Sequence, residues 1–141
     1  MASKQSKMDH LAGVALFEGV SKKELEKIAK AGDEIKMAAG TVIVDQGQTG
    51  REAFVVLEGT VTVKRNNRKL ATLGPGDVVG ELSLLDHGPR TATAVCETDC
   101  ELFVLDQRHF RGVLEQVPTL ASKILASLAG RIRELDRQSY G

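Results

Sequence analysis

The spacing of apolar residues changes twice along this chain, and those two changes restrict its fold more than any other feature. Over residues 9–33 they recur at helical intervals, over 34–106 at every second position, and over 107–138 at helical intervals again. In the first block LAGVALFEGVSKKELEKIAKAG reads as helix, turn, helix. Ser21 and Glu24 form a capping box, because the hydroxyl and the carboxylate each satisfy a free backbone N–H. Leu25, Ile28 and Ala29 follow on one face, and Gly32 is the expected stop. Residues 1–8 are polar and are expected to fray.

The middle block holds six β-type runs, TVIVDQG, EAFVVLEG, TVTVKRN, RKLATLG, TATAVCE and ELFVLD. Turn residues divide them at Gly40, Gly47, Gly50, Gly59, Asn66-Asn67 and Gly74-Pro75-Gly76-Asp77. Many short strands with frequent glycine turns predict a sandwich or jelly roll. In the last block Pro118 fits the first turn of a helix whose Leu120, Ile124, Leu128, Ile132 and Leu135 form one apolar stripe. The order is helices, a small β-barrel, helices, within one domain of 141 residues. A chain of that length, 42% hydrophobic and 27% charged, buries a core without disulfides or metals.

The formal net charge of zero argues against a protein held on nucleic acid by bulk electrostatics. No apolar run approaches the roughly 18 residues that a membrane helix needs. The start, MASKQSKMDH, lacks an apolar signal core, so a cytoplasmic location is expected. Cys96 and Cys100 fit no four-ligand zinc spacing and read as small strand residues kept reduced.

One stretch fits neither period. GELSLLDHGPRTATA, residues 80–94, sets Glu81 and Arg90 at the two ends of a short apolar segment, closely preceded by Gly74 and Gly76 and opened by Gly80. A helical turn starting at Gly80 aims free N–H groups at a ligand, and a residue without a Cβ lets that ligand approach. Arg90 brings a bidentate donor to the same anion. Glu81 repels an anion but accepts from hydroxyls such as a ribose 2′-OH. An exposed Glu–Arg pair alone, worth roughly 0–1 kcal/mol, does not account for the glycines and proline around it. The set suits a small sugar phosphate with one negative charge, such as a cyclic nucleotide. GPGDVVG has the wrong spacing for a dinucleotide fingerprint.

Gly80, Glu81, Leu82, Ser83, Leu84, Leu85, Pro89, Arg90, Thr91 and Ala92 closely resemble the phosphate-binding cassette of the cyclic-nucleotide-binding domain family, in its catabolite-activator-like and protein-kinase-regulatory-subunit-like form. The resemblance covers nearly the whole chain and implies a stand-alone bacterial-type domain. It implies an α+β fold, an eight-stranded β jelly-roll barrel (34–106) carrying a cassette at 80–92, flanked by N-terminal helices (9–33) and C-terminal hinge and lid helices (107–138). It implies that Glu81 binds the ribose 2′-hydroxyl and Arg90 the cyclic phosphate. Backbone amides of Leu82, Ser83 and Thr91 complete the cradle, and the Thr91 hydroxyl contacts guanine in some members. The base lies against Val79 or Leu82, Val79 standing where the family often has an aromatic. The last helix covers it through Ile132, Arg133, Leu135, Asp136 or Tyr140; Arg133 either stacks on the purine or, as is more usual for a charged helix residue, is simply solvated. No cofactor or metal is expected; the ligand is cAMP more than cGMP.

Three other functions compete. A cupin-like metal enzyme needs clustered ligands, but His10, His87 and His109 are scattered. A DNA-binding regulator carries a helix-turn-helix beyond the long helix, so direct DNA contact by this chain is not expected unless it is the sensory fragment of a longer protein. A structural domain that lost its ligand would not need Glu81 and Arg90. The reading is a receptor without chemistry of its own. It moves its C-terminal helices about a hinge at Val117-Pro118 and acts on a protein effector, or it pairs with a second copy through the last helix.

Overall fold

The computed structural model describes residues 4–140, apart from the side chain of Tyr140. Among them are helices α1 (Lys4–Ala12), α2 (Lys22–Ala31), α3 (Gln107–Gln116) and α4 (Pro118–Tyr140). The strands are β1 (Asp33–Met37), β2 (Val42–Val44), β3 (Glu52–Glu58), β4 (Val61–Arg65), β5 (Arg68–Leu73), β6 (Val78–Val79), β7 (Thr93–Cys96) and β8 (Cys100–Asp106). They form two antiparallel four-stranded sheets, ordered β1-β8-β3-β6 and β2-β7-β4-β5.

The sequence of β3 explains the layering. Successive strand side chains point to opposite faces. Ala53, Val55 and Leu57 face the helices, while Phe54 and Val56 face the other sheet. Both faces are buried, so AFVVL is apolar without alternation. β8 does the same, with Phe103 and Leu105 toward the helices and Leu102 toward the second sheet. The result is three layers: helices, a central sheet, an outer sheet. Fully buried Phe103 and Phe110 anchor the helical side, each worth about 1.5–3 kcal/mol by burial. Cys96 and Cys100 are free thiols in the layer between the sheets. Burial, together with Cys100, pushes the Cys96 thiol up to about 11.

Several local expectations need correction. Residues 4–8, expected to fray, belong to α1, because Met8 and Leu11 are buried against the core. β1 and β6 were not among the six runs. Asp33–Met37 is charged at three of five positions, with only Ile35 and Met37 alternating toward the core, and Val78–Val79 is two residues, so neither reads as a strand by itself; pairing with β8 and β3 makes them strands. Gly32 ends α2 with φ −111° rather than a left-handed cap, and a Cβ there would strike the Phe103 ring.

The capping box forms as read: Ser21 N–H donates to Glu24 Oε1 at 2.9 Å and Glu24 N–H to Ser21 Oγ at 3.2 Å. The same carboxylate reaches across to α4. Lys123 Nζ donates to Oε1 at 2.5 Å and Thr119 Oγ1 to Oε2 at 3.0 Å. The lysine bond first, then those from Ser21, hold the Glu24 carboxyl at about 2, against an ordinary 4.5. A folded-state value below the unfolded one contributes stability that is full above 4.5 and lost as pH falls toward 2. Glu24→Gln should therefore lower the melting temperature at neutral pH and flatten its decline over that acid window; an unchanged acid limb in a melting series would rule out Glu24 as the titrating clamp.

Candidate functional site

The stretch 80–91 leaves β6, makes a 3₁₀ turn over Glu81–Leu84, and returns through Pro89 to the start of β7. Gly80 opens it in the left-handed region, φ 75° and ψ 30°, where a side chain would be strained. At the other end the backbone of Arg90 is pinned to the β2–β3 loop: its N–H donates to Gln48 O at 2.7 Å, and Gly47 N–H donates to Arg90 O at 2.9 Å.

The Arg90 side chain then runs between two glycines. A Cβ on Gly50 would collide with its Nε and Cζ, and one on Gly80 with its Nη1. Nη1 donates to Glu52 O and to Ser83 Oγ, both at 2.9 Å. Burial lowers the Arg90 pKa from its ordinary value, and the Glu52 carboxylate opposes that shift. Nε and Nη2 have no hydrogen-bond partner among the described residues. One edge of the fork is thus fixed and the other is open to an anion.

Glu81 faces α4. Arg131 Nη2 donates to Glu81 Oε1 at 2.8 Å. The remaining atoms of that pair, Glu81 Oε2 and Arg131 Nη1, are buried without a hydrogen-bond partner. An unmatched buried acceptor and donor cost roughly 1–3 kcal/mol each, and native proteins rarely tolerate them without a ligand or water. Arg131, Glu81 and Arg90 line one cavity of about 280 Å³ with Leu82, Ser83 and Thr91.

The expected site residues divide accordingly. Gly80, Glu81, Leu82, Ser83, Arg90 and Thr91 come together around the cavity. Ser83 is buried with its hydroxyl held by Arg90, whereas Leu82 is 53% exposed at the rim. Val79 does not line the cavity: it points into the inter-sheet core, and its neighbour Val78 takes the cavity side because adjacent strand residues face opposite ways. Arg133 is exposed and Arg131 occupies the place expected of it, since two positions on a helix turn the side chain by about 200°. Ile132 and Leu135 are 66% and 64% exposed, Asp136 is exposed, and the Tyr140 side chain lies outside the described residues.

Arg131 was missed although its spacing announced it. It follows buried Leu120 and Ile124 and half-buried Leu128 at helical intervals, so it continues the buried face as a cation. Arg65 was also missed; its Nε donates to Thr91 O at 2.9 Å and fixes the exit of the stretch. Among the described residues no group of three or more His, Cys, Asp or Glu is placed to hold a metal, and no helix is long and apolar enough to cross a membrane.

A sandwich that half-buries one guanidinium, leaves one edge of it open and faces it with a carboxylate defines a small-ligand binding module. Residues 34–117 match the family model described as cyclic nucleotide-binding domain, and the chain belongs to that family. It is 34% identical over 131 residues to the cyclic AMP receptor protein of Thermus thermophilus, covering 89% of this chain and 61% of that protein. It is 42% identical over 82 residues to the cAMP-dependent protein kinase regulatory subunit of Eremothecium gossypii, covering 58% of this chain and 18% of that one. The chain thus spans less than two thirds of either relative. Among solved structures, the N-terminal domain of a transcriptional regulator from Streptomyces coelicolor superposes with a TM-score of 0.87 at 30% identity, over 92% of this chain and 96% of that one.

The packing of Arg90 is directly testable. Gly50→Ala should destabilise the fold by roughly 1–3 kcal/mol through overpacking. In an Arg90→Ala background the same substitution should cost markedly less, because the clashing atoms are gone. Equal losses in both backgrounds, measured by denaturant unfolding, would place the strain elsewhere than on the guanidinium.

Proposed function

We propose that this chain is a receptor for a 3′,5′-cyclic purine nucleotide, cAMP in preference to cGMP, with no chemistry of its own. The observation that carries this reading is the pair of orphaned buried atoms, Glu81 Oε2 and Arg131 Nη1, in the cavity where Arg90 leaves half its fork open. An acceptor for a hydroxyl and donors for one anionic group match a ribose 2′-hydroxyl beside a cyclic phosphate. Arg90 takes the phosphate, backbone amides of Leu82, Ser83 and Thr91 complete the cradle around Gly80, and Glu81 takes the ribose. Leu82 and Val78 offer apolar surface to the base. The names of the relatives, a cyclic AMP receptor protein and a cAMP-dependent kinase subunit, support cAMP. The exposed Thr91 hydroxyl is the one group that favours cGMP, through the guanine 2-amino group.

The domain acts as one unit, with residues 34–106 as receptor and 107–138 as output, in a cytoplasmic setting. The Glu81–Arg131 pair ties ligand to output, because it is the contact between the cassette and the far half of α4. A ligand shifts α4 only through a difference in affinity between two helix positions, and competition for Glu81 supplies one. The recipient is a protein effector or a second copy packed on the exposed Leu125, Ile132 and Leu135. The fit to the N-terminal domain of a transcriptional regulator favours a second reading, the sensory part of a longer regulator whose DNA contacts are made elsewhere.

Saturating cAMP at about a hundred times its Kd should stabilise the fold by about 2.7 kcal/mol. Arg90→Ala should remove roughly 2–5 kcal/mol of binding, and Arg90→Lys should not restore it. Glu81→Ala should narrow the gap between cAMP and its 2′-deoxy form. A thermal shift absent with both cAMP and cGMP sinks the reading.

Coupling has its own test. Hydrogen exchange over residues 128–138 should change when cAMP is added to wild type. In Arg131→Ala the cassette should still become protected while 128–138 no longer respond; a helix response that survives Arg131→Ala would remove the pair from the relay.

A further inference from the structure

A second concave surface lies beside the cassette, between the start of β3 and α3. It encloses about 640 Å³ and is lined by Arg51, Glu52, His87, Asp106, Arg108 and Arg111, with Gln107 at its floor. Its two carboxylates are already engaged. Both Asp106 oxygens are held by His109, through the backbone N–H at 2.7 Å and the ring Nδ1 at 2.8 and 2.7 Å. The Glu52 charge acts on Arg90. The three guanidiniums are not so engaged. Arg51, Arg108 and Arg111 are exposed, and none of their side chains makes a hydrogen bond or close ion pair among the described residues. Arg108 reaches Asp106 only through its field. Arg108 and Arg111 are three positions apart on α3 and so stand side by side, with Arg51 across the cleft.

We propose that this cleft docks an acidic peptide segment of a partner protein. Three free guanidinium forks match carboxylates in geometry as well as charge. Nucleic acid suits the cleft less well. Its phosphates continue well past three guanidiniums, and a chain of zero net charge offers no wider basic field to hold such a polyanion. A short run of carboxylates needs no field beyond the cleft.

The cleft shares its floor with the nucleotide site. Glu52 O accepts from Arg90, Gln107 Nε2 donates to Asp86 O of the cassette at 3.1 Å, and Gln107 N–H donates to Arg51 O at 2.8 Å. A cassette that changes shape on binding thus acts on residues of the docking surface. The cleft's purpose, a receiving surface for the signal, rests on the proposed function; its chemistry does not.

The test is fluorescence anisotropy of a short fluorescein-labelled peptide of alternating Glu and Ser, titrated with the full chain at low salt. The peptide should bind, and Arg51→Glu and Arg111→Glu should each weaken it by about tenfold. Arg68→Glu, on the basic β4–β5 hairpin, should leave it unchanged. Absence of binding, an equal loss from Arg68→Glu, or tighter binding of a labelled single-stranded DNA of similar length that the cleft variants abolish would each overturn the proposal, the last in favour of a nucleic-acid surface. The cAMP thermal shift is measured on the same three variants. A wild type that binds peptide but no nucleotide defeats the receptor reading alone, and one that binds nucleotide but no peptide defeats the cleft alone.

Discussion

One half-buried cation organises the cassette end of this molecule. A guanidinium taken out of water is expensive unless its donors are matched, and Arg90 is matched by groups from different parts of the chain: a carbonyl at the start of β3 and a hydroxyl in the 3₁₀ turn. Two glycines clear its path, and the β2–β3 loop holds its backbone. The turn opens at the left-handed Gly80, where a Cβ would meet Nη1, and closes at the Thr49–Pro89 bridge, one residue before Arg90. Removing the charge would therefore loosen three segments at once, even without a ligand present.

The central sheet makes this arrangement consequential for the rest of the protein. β3 and β8 bury both faces, so they transmit rather than absorb displacement. One of the two groups that fix Arg90, Glu52 O, belongs to the strand whose helix-side face packs on α1, the Ala15–Phe17 turn and the base of α3 and α4. The cavity opens at the rim of the layer whose two faces are both buried.

Legibility in the sequence followed the length scale of each interaction. The capping box, the Asn66-Asn67 turn with both residues at positive φ, and the paired glycines around the cassette are local, and their residue types announce them. β1 and β6 are strands because a partner strand is present, which a window over DEIKM or VV cannot register. The cavity was placed by the acid, base and glycine spacing of 80–91. Its wall from α4 was placed two residues off, because the exposed Ile132 and Leu135 were read as continuing a buried stripe that turns away after Leu128. Arg131 sits where a hydrophobic residue would continue that stripe. A charge at such a position signals a buried partner, and that partner, Glu81, is 50 residues away in sequence.

The grip of Glu24 on α4 has a mechanical meaning. Thr119 and Lys123 are fastened to it, and Ser127 donates to Ala15 O at 2.9 Å one turn further on. These three bonds tie α4 down as far as Ser127, and the distal arm beyond them begins near Gly130, an interior residue of low helix propensity. From Gly130 to Tyr140 this arm measures about 15 Å at the α-helical rise. In the proposed receptor reading, Arg131 stands at the base of this arm, so a side chain leaving Glu81 there would have its displacement enlarged toward the tip.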